Sequence, residues 1–95
     1  MAIKTLLERK IVPGNELALI NQLIGLRSKA LHAKGYICGE TLRSLDDPFE
    51  YLVISTWKSL DDWERWEENR ERQKIQTKID SLLITPTVQR VFWHG

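Results

Sequence analysis

The sequence predicts an α+β fold: a ferredoxin-like β-α-β-β-α-β sandwich in which one antiparallel sheet carries its helices on a single face. Three observations predict it. Alternating runs with β-branched side chains lie towards both ends of the chain, at Ala2 to Val12 and Thr87 to Trp93. Two stretches with apolar residues three and four apart lie between them. A further pair of extended runs, Tyr36 to Ser44 and Phe49 to Trp57, flanks the polar turn Leu45-Asp46-Asp47-Pro48 and reads as a hairpin.

Each element carries its own start or stop signal. Pro13-Gly14 ends the first strand, because proline donates nothing to a ladder and glycine permits the turn, and Asn15 is a good N-cap for the helix that follows. In that helix Leu17, Ile20, Leu23, Ile24, Ala30 and Leu31 trace one apolar stripe. Lys29 and Lys34 suit its negative C-terminal end, and Gly35 supplies a left-handed residue beyond it. In the Phe49 to Trp57 run, Tyr51, Val53 and Trp57 point one way and Leu52 and Ile54 the other, so both faces are largely apolar. Ser59-Leu60-Asp61-Asp62 matches a capped helix start. The second helical region carries Trp63 and Trp66 early and Ile75, Ile79, Leu82 and Leu83 later, with a break at Asn69. Pro86 forbids its continuation, and the last strand sets Val88, Arg90 and Phe92 against Gln89, Val91 and Trp93.

Composition bounds the class. Ninety-five residues make one domain, 1–95, and 42% hydrophobic with 28% charged residues is the ordinary globular balance. Fourteen basic and thirteen acidic side chains give a net charge of +1, too even for a nucleic-acid partner. The single cysteine, Cys38, makes no internal disulfide and fits a reducing compartment, the cytoplasm. Lys4, Glu8, Arg9 and Lys10 interrupt the first apolar run, so neither a signal peptide nor a membrane helix is expected there. Two helices shelter only one face of four strands. The apolar side chains on the other face therefore predict a homodimer packed sheet against sheet.

Several segments together resemble the antibiotic biosynthesis monooxygenase (ABM) domains of the dimeric α+β barrel superfamily. They are Pro13-Gly14, Lys34-Gly35-Tyr36, Arg43-Ser44-Leu45-Asp46-Asp47-Pro48, and Tyr51 through Trp57-Lys58-Ser59. The resemblance spans nearly the whole chain and implies a dimeric α+β barrel. It also implies a monooxygenase with neither metal nor flavin, oxidising a small electron-rich aromatic, quinol or polyketide-like, with O2. The haem-degrading branch of the family uses an Asn, a Trp and a His whose positions fall here on Leu7, Trp66 and about Gln76. Leucine has no donor and glutamine is a poor iron ligand, so the resemblance argues against haem degradation. It places Trp66 and the Leu7 position at a substrate pocket, and helical spacing adds Trp63.

Trp63 and Trp66 share a helix face, and Trp57 lies just upstream, so the three either wall an aromatic pocket or fill a core. His32 is a weak candidate base, without a recognisable partner, and the catalytic residues are otherwise unassigned; His94 is weaker still. Cys38 lacks a neighbouring base and reads as a small strand residue. Arg9 and Arg90, on otherwise apolar strands, read as side chains snorkelling from the sheet edge rather than anion ligands. No metal-ligand spacing is found. A non-enzymatic dimer that binds a small hydrophobic ligand or serves as an assembly module is the alternative.

Overall fold

The computed structural model describes residues 1–94. Its elements run β1 (Ile3–Lys10), α1 (Glu16–Ala30), β2 (Tyr36–Arg43), β3 (Glu50–Trp57), α2 (Leu60–Glu67), α3 (Arg70–Asp80) and β4 (Val88–Trp93). The strands form one sheet in the order β2-β3-β1-β4, with every neighbouring pair antiparallel. This is the predicted ferredoxin-like arrangement, with the second helical region divided in two.

The alternation in β1 sends Ile3, Thr5, Leu7 and Arg9 under the helices and leaves Lys4 and Lys10 in solvent. Paired with it, β3 sends Tyr51, Val53, Ser55 and Trp57 to the same inner face. The core lies between this face and the helices, where Leu19 and Leu23 of α1, Trp63 and Trp66 of α2 and Ile79 of α3 are buried. Backbone bonds from Val12 N–H to the Leu82 carbonyl and from Ile84 N–H to the Lys10 carbonyl tie the end of α3 to the end of β1.

The break at Asn69 has a capping cause. The Ser59 hydroxyl accepts the Asp62 N–H at 3.1 Å to start α2, and the Asn69 carbonyl oxygen accepts the Arg72 N–H at 3.0 Å to start α3. Asn15 behaves differently from expectation. Its side chain makes no cap bond and instead donates to the Leu82 carbonyl, while the Glu16 carboxylate accepts the Gly14 N–H. Gly35 is left-handed, at φ +85°, yet it precedes β2 rather than following α1, which ends at Ala30.

Two expectations are corrected. The buried stripe of α1 is Leu19, Leu23, Leu26 and Ala30; Leu17, Ile20, Ile24 and Leu31 face solvent. Both stripes have helical spacing, so periodicity alone does not choose between them. Arg9 does not snorkel from an edge. Because β1 is a central strand, its inward residues lie beneath the helices, and Arg9 is 1% exposed.

Among the described residues nothing covers the outer face of the sheet. Leu6 of β1, Leu52 and Ile54 of β3, Leu42 of β2 and Val88 and Phe92 of β4 lie on it, interspersed with Lys4, Glu8, Glu40 and Arg90. Arg90 sits over the Phe92 ring at 5.0 Å, and Cys38 is exposed. No helix among the described residues is long and apolar enough to cross a membrane.

Candidate functional site

An internal cavity opens between the sheet and all three helices. Leu7 of β1, Leu23, Leu26, Arg27 and Ala30 of α1, Tyr36, Gly39 and Thr41 of β2, Val53, Ser55 and Trp57 of β3, Trp63 and Trp66 of α2, and Arg72 of α3 line it. The free space is about 50 Å³, enough for a few water molecules, and a ring enters only as the surrounding side chains move apart.

Aromatic rings make one wall. Trp57 ends β3 pointing inward, and the cap at Ser59 turns the chain at once into α2, so Trp63 and Trp66 fold back over it. The Trp57 centroid lies 6.0 Å from Trp66 with the planes within 29°, and meets Trp63 and Tyr36 edge-on at 5.6 and 5.2 Å. The Trp57 indole N–H donates to the Ser55 hydroxyl at 3.0 Å, which also bonds the buried Thr5 hydroxyl. Trp57 is thereby fixed at both ends.

A bulge sets the opposite wall. Tyr36 pairs with Trp57 and Cys38 with Thr56, so Ile37 is an extra residue that shifts the alternation of β2. Beyond it Gly39 and Thr41 face inward. A Cβ at Gly39 would lie 2.6 Å from the Tyr36 hydroxyl, so glycine there makes room for the phenol. Burial pushes the Tyr36 phenol up, with Arg27 opposing. Arg27 donates to the Thr41 hydroxyl at 3.1 Å, bridging α1 to β2. With Leu23 these two also line a groove on the outer side, and so stand between the cavity and solvent.

Arg72 is the buried cation of the site. It leaves α3 on the phase that buries Ile79, and its guanidinium sits over Trp63, 5.6 Å from the ring centroid. Burial lowers its pKa, opposed by Glu67 and Asp80. Its Nε and the Trp63 indole nitrogen are both buried without a hydrogen-bond partner. The ion pairs among the described residues are Lys10 with Asp47, Lys29 with Glu71 and Arg65 with Asp62, and Arg72 is in none of them.

The structure gathers Leu7, Trp63 and Trp66 around this one cavity, with Trp57 beside them. His32 is elsewhere: exposed, it lines an outer groove with Lys29, Ala33, Asn69 and Glu71, on the far side of Trp66. His94 and Cys38 do not line the cavity. Gln76 is engaged in a separate network. Its carbonyl oxygen accepts from Arg9 at 2.9 Å, and its amide donates to Asp80 and Thr87 at 2.9 and 3.0 Å. An amide held in such a network is a poor iron ligand beside imidazole, and Leu7 offers no donor, so these residues do not fit haem. Among the described residues no three His, Cys, Asp or Glu side chains form a group that could hold a metal.

Tyr36, Gly39, Thr41, Ser55 and Arg72 were not anticipated at the site. Period two puts Ser55 on the face of Trp57, and helical period puts Arg72 in line with Ile75 and Ile79, so both were within reach of pattern reading. The bulge that turns Gly39 and Thr41 inward leaves no such signal.

Fold and cavity together define a class: a ferredoxin-like α+β domain with an aromatic-walled cavity between its sheet and helices. Within that class the chain belongs to the antibiotic biosynthesis monooxygenase family, whose model matches residues 3–78. Solved structures agree in fold. A conserved protein from Methanosarcina mazei Go1 superposes with a TM-score of 0.94 at 16% identity, covering 100% of this chain and 94% of that one. Rv0793 from Mycobacterium tuberculosis superposes with a TM-score of 0.90 at 14% identity, covering 100% and 96%. SnoaB from Streptomyces nogalater, a cofactor-independent oxygenase, gives 0.85 at 17% identity, covering 100% and 95%. Among curated proteins none matches the chain in sequence.

Proposed function

We propose that this chain is a monooxygenase that uses neither metal nor flavin and oxidises a small electron-rich aromatic, quinol or polyketide-like, with O2. The observation that carries the reading is the cavity of a family member walled by Trp57, Trp63 and Trp66, with Leu7 on the sheet side. Indole faces accept a flat ring, and an apolar lining that displaces water favours electron transfer from a substrate anion to oxygen. For an activated CH2 the balance is CH2 + O2 giving C=O and H2O: one oxygen atom stays on carbon and the other leaves with both hydrogens. The substrate supplies every electron, so no external reductant enters.

The working unit in this reading is a homodimer in the cytoplasm. Leu42, Leu52, Leu6, Val88 and Phe92 on the outer sheet face are brought out of water by a second copy, and Lys4 and Arg90 lie on that face with Glu8 and Glu40. Oxygen consumption by metal-free protein against a panel of hydroquinones and anthrones tests the activity. Turnover supports it; binding of the panel without turnover supports the ligand-binding alternative instead. Sedimentation at micromolar concentration tests the dimer, and a stable monomer refutes it.

A further inference from the structure

Stacking the outer sheet face on a second copy does not by itself cover two other apolar surfaces of this chain. One is a stripe along α1, where Leu17, Ile20, Ile24 and Leu31 face solvent and Leu17 is 71% exposed. The other is on β4. Val91 and Trp93 pair with the inward Thr5 and Ile3 of β1, so they face the helix side of the sheet, yet Trp93 is 59% exposed. These surfaces cannot meet within one chain. The α1 stripe lies towards β2, to which Arg27 and Thr41 tie the helix, and β2 and β4 are opposite edges of the sheet. Among the described residues no strand pairs with the free side of either edge.

Charges on the outer face choose how a second copy meets them. Arg90 on β4 and Glu40 on β2 stand at the two ends of one row, Arg90-Leu6-Ile54-Glu40, that crosses the sheet. Two such faces stacked about a two-fold axis running across the strands bring like edges together, Arg90 onto Arg90 and Glu40 onto Glu40. An axis running along the strands brings opposite edges together and turns each Arg90 towards Glu40 of the partner subunit. We infer that the pair adopts the second arrangement, with β4 of each copy beside β2 of the other and its Val91 and Trp93 seated on the partner's α1 stripe. The inference rests on the homodimer proposed above. It gives the site a shared wall. Ile20 and Ile24 line the groove outside the cavity with Leu23, Arg27 and Thr41, and these last three line the cavity as well. The seam between α1 and β2, open to water in a separate subunit, is therefore covered by β4 of the other copy.

Two measurements test it. With photoreactive p-benzoylphenylalanine in place of the exposed Trp93, irradiation of the full chain should double its mass on a denaturing gel, and peptide mapping should place the link within residues 17–31. Sedimentation of charge variants tests the axis. Glu40→Arg should raise the dimer dissociation constant by about tenfold or more, and adding Arg90→Glu should recover most of that loss, because the swapped pair attracts again. About a like-edge axis neither change follows: Glu40→Arg exchanges one repelling pair for another. A dimer whose links from position 93 fall outside residues 17–31, or whose dissociation constant ignores Glu40→Arg, overturns the inference and leaves the homodimer standing. A wild-type chain that sediments as a monomer at micromolar concentration removes both.

Discussion

Trp66 lies against Trp57, centroids 6.0 Å apart and planes within 29°, and its other side faces the exposed groove that holds His32. One indole thus separates the chamber from that groove.

Removing that partition should matter twice. Trp66→Ala is expected to lower stability by about 3 to 5 kcal/mol and, in protein that still folds, to cut oxygen consumption on the best quinol by about tenfold or more as water enters. Trp66→Phe should keep most of both. Urea denaturation and an oxygen electrode separate the two effects; turnover unchanged in Trp66→Ala removes the residue from the proposed site.

Gly35 should not tolerate a side chain. It holds φ +85°, and a Cβ there would fall on the buried Asp62 carboxylate. Gly35→Ala is expected to cost about 1 to 3 kcal/mol from the strained backbone alone, read as a lowered thermal midpoint. Gly14 is also left-handed, but open space surrounds it, so Gly14→Ala should cost less.

The two caps that divide the helical region should be separable. Ser59→Ala and Asn69→Ala each remove one side-chain acceptor from a helix start and should each cost about 1 kcal/mol, additively. A loss in Asn69→Ala below about 0.3 kcal/mol would mean that α2 and α3 can join without it.

Arg9 tests the cost of a buried charge. Its Nη2 reaches Gln76, but Nε and Nη1 have no partner, and burial, reinforced by Arg72, lowers its pKa to about 10. Arg9→Met should therefore leave stability at pH 7 within about 1 kcal/mol of wild type, or raise it, despite complete burial of the site. The sign with pH follows from linkage. Between about 10 and the ordinary arginine value the unfolded chain binds more protons than the folded one, so wild type regains stability as pH rises through that window. Urea midpoints at pH 8 and pH 11 should show the advantage of Arg9→Met shrinking at the higher value.

Much of the sandwich was legible because its boundaries are chemical. Pro13-Gly14, Asp47-Pro48 and Ser59 mark element ends that the structure keeps within a few residues, whereas α3 stops at Asp80, well before Pro86, and leaves Leu82 and Leu83 beyond the helix. Interior phase was harder. α1 offers two equivalent apolar stripes, and which one is buried depends on how the helix docks on the sheet, a tertiary choice. Arg9 was misplaced because strand order, which makes β1 central, is set by long-range pairing. At the site the tryptophans stood out by residue type. Arg72 sat unnoticed in a charged stretch, since a lone inward arginine among outward ones differs only in helical phase.

The extra residue at Ile37 gives β2 two frames in which its side chains can be read. Were the strand to run without the kink, strict alternation from Tyr36 would turn it inside out, carrying a thiol and a carboxylate, Cys38 and Glu40, into the chamber in place of Gly39 and Thr41. A substitution that relaxes the kink without changing the length of this edge strand is thus a route by which the domain's chemistry can drift while its core stays untouched.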